Sequence, residues 1–228
     1  MRVKGYISVC EALKSGKLNR VFYNPESDSS KILNLIIECR RKGIPTIPKK
    51  ISGIEGDVSP VEYASFDFIL KKAVENITPI VMLDKIKDPA NLGAVIRTAE
   101  FLGCAGVVIA KRRGAQITDA VVRVSTGAVF HIPIAREENL VNCARKAKKI
   151  GLSIIGAEID GDNLENVNIS PPVVLVFGEE DRGISKPLRK QCDFIVRIRG
   201  YGITNSLNVS NAAAIIIYES MKQKELLQ

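Results

Sequence analysis

Residues 194–218, FIVRIRGYGITNSLNVSNAAAIIIY, contain a strand, a turn and a helix in immediate succession. The apolar run 194–198 predicts a strand, Gly200 and Gly202 predict a tight turn, and the small and apolar residues that follow predict a helix. In open α/β proteins, ligands bind at such turns because carboxyl ends of strands and amino ends of helices converge there. The stretch therefore predicts an α/β fold with a ligand site after this strand.

The chain from Pro79 onward repeats this alternation of strands and helices. Apolar strands that alternate with helices indicate a mainly parallel sheet covered by helices on both faces. We predict strands over residues 80–84, 106–110, 129–134, 153–157 and 173–177, and helices over 92–102, 117–124 and 138–150, with a short helix after Ser185.

The first 68 residues predict a smaller α/β unit. Its predicted helices span residues 7–14 and 30–42, its predicted strands span 18–23 and 44–47, and a turn-rich segment covers 48–60. A polar, helix-like linker over residues 69–78 is predicted to join this unit to a second domain, residues 79–228.

The composition suits a folded protein with a polyanionic partner. Lys and Arg total 33 against 25 Asp and Glu, a net charge of +8, and a basic balance of this kind favours nucleic acid. No apolar run approaches the roughly 20 residues of a membrane helix, and the charged first 16 residues lack a signal-like apolar core. We therefore expect a cytoplasmic protein without a membrane segment.

The cysteines and the histidine argue against metal and hydrolase chemistry. The five cysteines lie far apart without a Cys-x-x-Cys pair, and His131 is the only histidine. We expect no metal site and no disulfide framework, but buried thiols in a reducing compartment. His131 lies in a predicted strand, where we expect a structural role, and a hydrolase triad then lacks its usual base.

Two other turns after apolar strands carry polar residues. The first contains Asn91, a natural helix N-cap, and leads into an otherwise apolar helix with Arg97. An arginine placed there needs an anion or a carbonyl partner, although a capped helix with a solvated arginine is the simpler explanation. The second turn, residues 178–185, spaces its glycines like a phosphate loop, but its three successive carboxylates would repel phosphate. It suits a cation or a weakly charged, hydroxyl-rich ligand, unless it is only an exposed acidic turn.

The turn at Gly200 begins like a dinucleotide fingerprint, but Asn205 replaces the third glycine, which weakens the case for a nicotinamide oxidoreductase. Ser206 and Asn208 could each cap the last helix, whereas the run of polar residues from 204 to 211 exceeds what capping needs. The three turns together indicate a composite ligand site. Their spacing alone does not define a reaction.

Three segments, DPANLGAVIRTA (88–99), LVFGEEDRGIS (175–185) and SLNVSNAAA (206–214), resemble the three ordered motifs of the TrmH/SpoU family of RNA ribose 2′-O-methyltransferases. The first 68 residues, with GYISVCEALKSG and SSKILNLIIECRRKGIPT, resemble the L30e-like substrate-binding domain of bacterial members that modify a guanosine of 23S ribosomal RNA. The resemblance implies a trefoil-knotted C-terminal domain, an obligate homodimer, and S-adenosylmethionine bound in the knot.

By motif, the resemblance implies catalytic or substrate-contacting roles for Asn91, Arg97, Glu179, Ser206 and Asn208. It implies cofactor contacts, largely through the backbone, at Gly178, Ile198 and Leu207. The carboxylates of residues 179–181 would favour the positive charge of the cofactor's sulfonium. The family proposal gives deprotonation of the ribose hydroxyl to the arginine of the first motif, here Arg97, and a phosphate clamp that orients the ribose would explain the same residue.

The sequence departs from the family pattern in two places. Arg199 and Gly200 follow Ile198 where Pro and Met are usual, and residues 55–57, Glu-Gly-Asp, stand near where a His-Gln-Gly segment often lies. The leading hypothesis is an S-adenosylmethionine-dependent 2′-O-methyltransferase of ribosomal RNA. The alternatives are a transfer RNA 2′-O-methyltransferase, a catalytically silent RNA-binding or ribosome-assembly module, and the nicotinamide oxidoreductase.

Overall fold

The computed structural model describes residues 1–225, so the last three positions of the predicted second domain lie outside the described residues. Its first sheet has the strand order β1-β4-β2-β3, in which β3 runs parallel to β2 and the other pairs are antiparallel. The elements of this first unit are β1 (Arg2–Lys4), α1 (Tyr6–Lys14), β2 (Leu18–Tyr23), α2 (Ser30–Arg41), β3 (Thr46–Pro48) and β4 (Ile54–Val58).

The second sheet has six strands in the order β10-β8-β9-β5-β6-β7, and every neighbouring pair is parallel, which confirms the predicted parallel sheet. Its strands are β5 (Ile80–Leu83), β6 (Gly106–Ala110), β7 (Ile134–Glu137), β8 (Ser153–Asn163), β9 (Val173–Phe177) and β10 (Phe194–Arg197). The helices are α3 (Phe66–Asn76), α4 (Pro89–Phe101), α5 (Asp119–Val124), α6 (Leu140–Lys149), α7 (Lys186–Arg189) and α8 (Val209–Glu225).

Helices cover both faces of the second sheet, as the apolar strands predict. Val81 and Leu83 of β5 belong to the core that includes α4, α5 and α8, whereas Ile80 and Met82 belong to the core that includes α3, α6 and α7. Because side chains alternate along a strand, both faces need apolar residues, and all residues of β5 and β9 are buried. Parallel strands also place the turns after β5, β6 and β9 at one edge of the sheet.

The first unit differs from the prediction in two strands. The segment 48–60, predicted to be turn-rich, contains β4, and the chain begins with an additional strand, β1. β4 has a Gly and an Asp, which are rare in strands, but it pairs on both sides. Gly56 allows Leu18 to pack closely, because a Cβ at this position would lie 2.7 Å from Cδ1 of Leu18 and would displace that side chain. β3 lies at Thr46–Pro48 instead of residues 44–47.

Two further predictions need correction, one for a strand in the second domain and one for the segment that connects the two sheets. The strand predicted over residues 129–134 is a 3-10 turn at Ala128–Phe130 followed by β7, which begins at Ile134. Pro133 has no N–H to give to a ladder, so the strand starts after it. The polar, helix-like linker is a helix as predicted, α3, but it is not polar on all sides, because it buries Phe66, Ile69 and Leu70 against the second sheet. No helix within residues 1–225 is long and apolar enough to span a membrane.

Candidate active site

Side-chain amides join the three predicted turns at the carboxyl edge of the second sheet. Asn208 donates a hydrogen bond from Nδ2 to Oδ1 of Asn91 at 3.0 Å, and Asn91 donates from Nδ2 to Oε1 of Glu180 at 2.5 Å. Asn91 is buried in the first turn of α4, Glu180 belongs to the turn after β9, and Asn208 directly precedes α8. The structure therefore brings together one residue from each of the three motifs.

The cap of α4 is Asp88, not Asn91 as predicted. Oδ1 of Asp88 accepts a hydrogen bond from the backbone N–H of Ala90 at 2.9 Å, and Pro89 occupies the start of the helix. Because Asp88 satisfies the helix end, the amide of Asn91 is available for its two contacts across the site. Asn208 does cap its helix, since its Oδ1 accepts from the N–H of Ser210 at 2.8 Å.

The turn after β9 is tightly folded. Glu179 and Gly183 exchange backbone hydrogen bonds of 3.1 and 2.8 Å, and a Cβ on Gly178 would lie 2.1 Å from the carbonyl carbon of Gly183. Two carboxylates hold the far side of this turn. The buried Asp84 accepts from the N–H of Ser185, and Glu158 accepts from the N–H of Ile184, both at 2.8 Å.

The acidic residues of this turn have different partners. Glu179 accepts a hydrogen bond from the ammonium group of Lys87, which holds the pKa of its carboxyl below the ordinary value. Glu180, which sequence reasoning did not single out, is the acidic partner of Asn91. Within residues 1–225, Asp181 has no hydrogen bond or ion pair through its side chain. The second motif contains two adjacent glutamates, Glu179 and Glu180. The sequence alone does not distinguish which of the two carboxylates contacts Asn91.

Arg97 lies apart from the amide cluster and is exposed on α4. Among residues 1–225 it has no hydrogen-bond or ion-pair partner, so the predicted anion or carbonyl partner is not supplied from that part of the chain. It lines a cleft of about 670 Å³ together with residues of α1 and α8, including Ile7 and Tyr218. Gly178, Ile198 and Leu207 do not line this cleft.

The segment between β10 and α8 is exposed from residue 199 to residue 208. Ser206 lies on its surface, and the Leu207 side chain is half exposed, whereas Ile198 packs partly against the core. At the departure from the family pattern, the Arg199 guanidinium lies 5.3 Å from the centre of the Tyr201 ring. The structure thus places Ile198 and Leu207 at the two ends of one exposed segment.

His131 and the cysteines take no part in the hydrogen bonds that join the three turns within residues 1–225. Nε2 of His131 lies 2.8 Å from Oε2 of Glu11, so the histidine joins α1 to the 3-10 turn before β7. All five cysteines are free, and burial raises the pKa of the Cys104 and Cys143 thiols to about 12. In the part of the chain that the structure describes, no group of His, Cys, Asp and Glu residues is arranged to hold a metal ion.

A parallel α/β sheet with a composite polar site at its carboxyl edge defines the class of fold, and comparison with known proteins defines the family. The chain belongs to the SpoU rRNA methylase family, whose model matches residues 78–218. The chain is 46% identical to an uncharacterized tRNA/rRNA methyltransferase of Archaeoglobus fulgidus, over 98% of this chain and 100% of the relative. It is 32% identical to a protein of Staphylococcus saprophyticus assigned to the TrmH family of tRNA/rRNA methyltransferases, over 97% of this chain and 89% of the relative.

A solved structure agrees with this family. The SpoU methyltransferase AviRb from Streptomyces viridochromogenes, determined in complex with AdoMet, superposes with a TM-score of 0.80 at 25% identity and covers 99% of this chain and 91% of its own. The chain is therefore an S-adenosylmethionine-dependent RNA methyltransferase of the TrmH/SpoU family.

Proposed function

We propose that this methyltransferase modifies a ribose 2′-hydroxyl of RNA, and that its target is a guanosine of 23S ribosomal RNA. The observation that carries the proposed transfer is the hydrogen-bonded series Asn208, Asn91 and Glu180, which joins the three motif turns at one edge of the sheet. The guanosine target is supported by the resemblance of the first 68 residues to the L30e-like domain. A transfer RNA target is the alternative within the same chemistry, and two relatives bear the description tRNA/rRNA methyltransferase.

The residues present suit the cofactor. Gly178 follows β9 directly and is buried, and because it has no side chain the backbone of Gly183 and Ile184 packs against it. This contact fixes the shape of the turn that we place beside the cofactor. Ile198 and Leu207 offer apolar surface to the cofactor. The carboxylate of Asp181 would attract the positive charge of the sulfonium, and the cofactor has no phosphate that this carboxylate would repel. When bound, S-adenosylmethionine supplies an electrophilic methyl group. We assign its binding to Gly178, Ile198 and Leu207.

The substrate side of the site consists of polar groups that position a ribose. In-line methyl transfer requires the hydroxyl to be aligned with the methyl group, so orientation contributes much of the rate. Asn208 and Asn91 fix the start of α8 relative to α4, and Glu179 is held by Lys87. We assign Ser206 and Asn208 to the ribose. Arg97 is assigned to a phosphate, because a guanidinium remains protonated and binds phosphate through two parallel donors.

We propose that two copies form a homodimer through α4 and α8. Phe101 is 83% exposed, Tyr218 60% and Ile7 56%, and all three line the cleft that contains Arg97. An exposed apolar surface of this kind typically marks a protein contact. Arg97 lines the same cleft, so a second copy seated there would border the phosphate site that we assign to Arg97.

We also propose that the chain forms a trefoil knot and that the first unit is an L30e-like RNA-binding domain. β10 pairs at the far edge with β8, and the following helix α8 returns to pack with α4 and β9, which supports the proposed knot because a knotted chain has to return toward the centre of its sheet. A crystal structure traced through residues 178–208 tests the knot, and a segment that passes outside the preceding loop would contradict it.

The free thiols suit a cytoplasmic location.

The test of the proposed function uses labelled S-adenosylmethionine with ribosomal and transfer RNA presented as separate fractions. We expect label in large-subunit ribosomal RNA, on a ribose resistant to alkaline cleavage at one guanosine. Label only in transfer RNA would favour the alternative target. No label in any fraction, with folded protein that binds the cofactor by calorimetry, would overturn transfer to RNA. A silent module would bind RNA without binding the cofactor.

A further inference from the structure

A second cationic feature lies at the same edge of the sheet, outside the three motifs. The run Lys111, Arg112 and Arg113 follows β6 directly, and all three residues are exposed. Lys111 pairs with Glu138 at 2.7 Å, but Arg112 and Arg113 have no hydrogen-bond or ion-pair partner within residues 1–225. Two adjacent guanidinium groups are therefore available to an external anion.

The loop that carries these arginines is held in one conformation. Nε2 of Gln116 donates to the carbonyl of Gly114 at 3.0 Å and to that of Ala110 at 3.3 Å, which closes the loop on itself. The N–H of Lys111 donates to the carbonyl of Glu137 at 2.8 Å, which ties the loop to β7. Arg113 has a left-handed backbone with φ of 62°, a conformation that is uncommon for a side chain of this type. Such conformations persist where the surroundings impose them, and they concentrate at functional sites.

The loop is connected to the methyl-transfer site by direct contacts. The N–H of Ala115 donates to the carbonyl of Ile86 at 2.7 Å. Ile86 lies between Lys85, which also has a left-handed backbone, and Lys87, which bonds to Glu179. The two loops after β5 and β6 therefore form one surface that begins at the second motif and ends at Arg113.

Next to β7, the same surface continues to an aromatic residue, Tyr63. The Arg136 guanidinium lies 4.9 Å from the centre of the Tyr63 ring, and it also donates to Oε1 of Gln116 at 3.3 Å. Tyr63 is partly exposed and lines a cleft of about 590 Å³ with Val61 and Ile117. Asp119 lines the same cleft. Its carboxylate would repel a phosphate but can accept a hydrogen bond from the amino group of a base, so this cleft suits a base better than a phosphate.

We propose that this surface binds single-stranded RNA next to the nucleotide that is methylated, with Arg112 and Arg113 on phosphates and Tyr63 against a base. The inference rests on the proposed transfer to RNA. Cationic side chains that follow the backbone, together with an aromatic platform for a base, are the two components with which proteins hold single strands. The surface spans the first unit and the second sheet, which are in contact because the backbone N–H of Ala64 donates to the carbonyl of Ile134 in β7 at 2.8 Å. RNA bound there contacts both parts of the chain.

The test compares two double variants with equal loss of charge. Arg112→Gln with Arg113→Asn removes the two free guanidinium groups and keeps a residue that tolerates the left-handed backbone. Arg145→Gln with Lys149→Gln is the control, because these exposed residues lie on α6. α6 runs from the end of β7 to the start of β8, so Lys149 in its last turn lies toward the opposite, amino-terminal edge of the sheet and Arg145 lies midway along the helix. Thermal unfolding and cofactor calorimetry are expected to be unchanged in both variants.

The readout is the affinity for a mixed-sequence single-stranded RNA of about 12 nucleotides, measured by fluorescence anisotropy. Between about 50 and 200 mM salt, we expect the slope of log Kd against log salt to fall by roughly 1.4 in the Arg112 and Arg113 variant, since each phosphate contact on a single strand contributes about 0.7. The control is expected to keep the wild-type slope. Tyr63→Ala is expected to lower the affinity by roughly 5-fold or more, and Tyr63→Phe to retain it.

The two proposals fail separately. A wild-type slope and affinity in the Arg112 and Arg113 variant, while the wild-type protein methylates RNA, would overturn the RNA surface. Absence of methylation in the wild-type protein, with the slope difference between the two double variants intact, would overturn the proposed reaction and support the RNA surface.

Discussion

The Asn208 amide donates a 3.0 Å hydrogen bond to Oδ1 of Asn91, although 117 positions separate the two residues in the chain. Through it, the start of α8 is joined to the first turn of α4, and Glu180 extends the contact to the turn after β9. Three turns that are distant in sequence are thus held by neutral amides and one carboxylate. This relationship makes Asn91 the centre of the candidate site.

We expect Asn91→Ala to weaken both cofactor affinity and stability. The substitution removes the two hydrogen bonds that Asn91 makes with Asn208 and Glu180. Because both partners are exposed and can bind water instead, we expect a loss of about 0.5–1.5 kcal/mol of unfolding free energy for each bond. Chemical denaturation and cofactor calorimetry measure the two effects. Asn19→Ala is the control, because Asn19 is exposed and, within residues 1–225, its side chain bonds only to Ser59. Equal results for the two variants would contradict a central role for Asn91.

Gly178→Ala is expected to abolish cofactor binding. A Cβ there would lie 2.1 Å from the carbonyl carbon of Gly183, so the turn must open. Gly202→Ala in the exposed segment is the matched control, because no atom lies within 4 Å of its added Cβ and its φ is not left-handed. Calorimetry with the cofactor separates them, and wild-type affinity in Gly178→Ala would remove this turn from the cofactor site.

Arg97→Ala is expected to reduce turnover by about 100-fold or more with little change in cofactor affinity, because Arg97 lies outside the amide cluster and has no partner within residues 1–225. If Arg97 clamps a phosphate, Arg97→Lys keeps part of the activity through its charge but loses the two-point contact. Rates of RNA methylation under single-turnover conditions measure both variants. Activity within a few-fold of the wild type in Arg97→Ala would exclude Arg97 from the mechanism.

The Lys87 and Glu179 pair predicts a specific acid response. Its hydrogen bond lowers the pKa of the Glu179 carboxyl below its ordinary value of 4.5, so the stabilisation is complete above that value and is lost as pH falls through the folded-state pKa. Lys87→Met raises the pKa of Glu179 toward its ordinary value, so the variant lacks this stabilisation at neutral pH and loses less stability than the wild type as the pH falls. Thermal midpoints measured across the acid range test this shift. Identical pH profiles for the wild type and Lys87→Met would show that the pair does not form in solution.

Phe101→Asp is expected to convert the proposed dimer into a monomer. Phe101 is 83% exposed beside Arg97, and a carboxylate there would have to be buried between two copies. Phe68→Asp is the control, because Phe68 is 54% exposed on α3, which covers the other face of the sheet. Sedimentation velocity distinguishes the two states. A wild-type protein that sediments as a monomer at micromolar concentration would contradict the homodimer.

The sequence predicts the second sheet better than the first. β5 and β9 consist entirely of buried apolar residues, so their pattern alone predicts central parallel strands. β4 contains Gly56 and Asp57, which are rare in strands, and its pairing with β1 and β2 is what makes it a strand. The sequence predicts a strand where the structure has the 3-10 turn at Ala128–Phe130, because the apolar residues of this turn resemble those of a strand.

By itself, the sequence determined the parallel sheet, the helices on its two faces and the three polar turns, because side-chain periodicity and turn residues are local properties. The tertiary structure decided which polar groups meet. It gave the cap of α4 to Asp88, paired Glu179 with Lys87 and Glu180 with Asn91, and left Arg97 exposed on a separate cleft. Neighbouring carboxylates with the same chemistry differ only in where the folded backbone directs them. That direction depends on contacts between residues about 90 or more positions apart, as in the pairs formed by residues 87 and 179 and by residues 91 and 180.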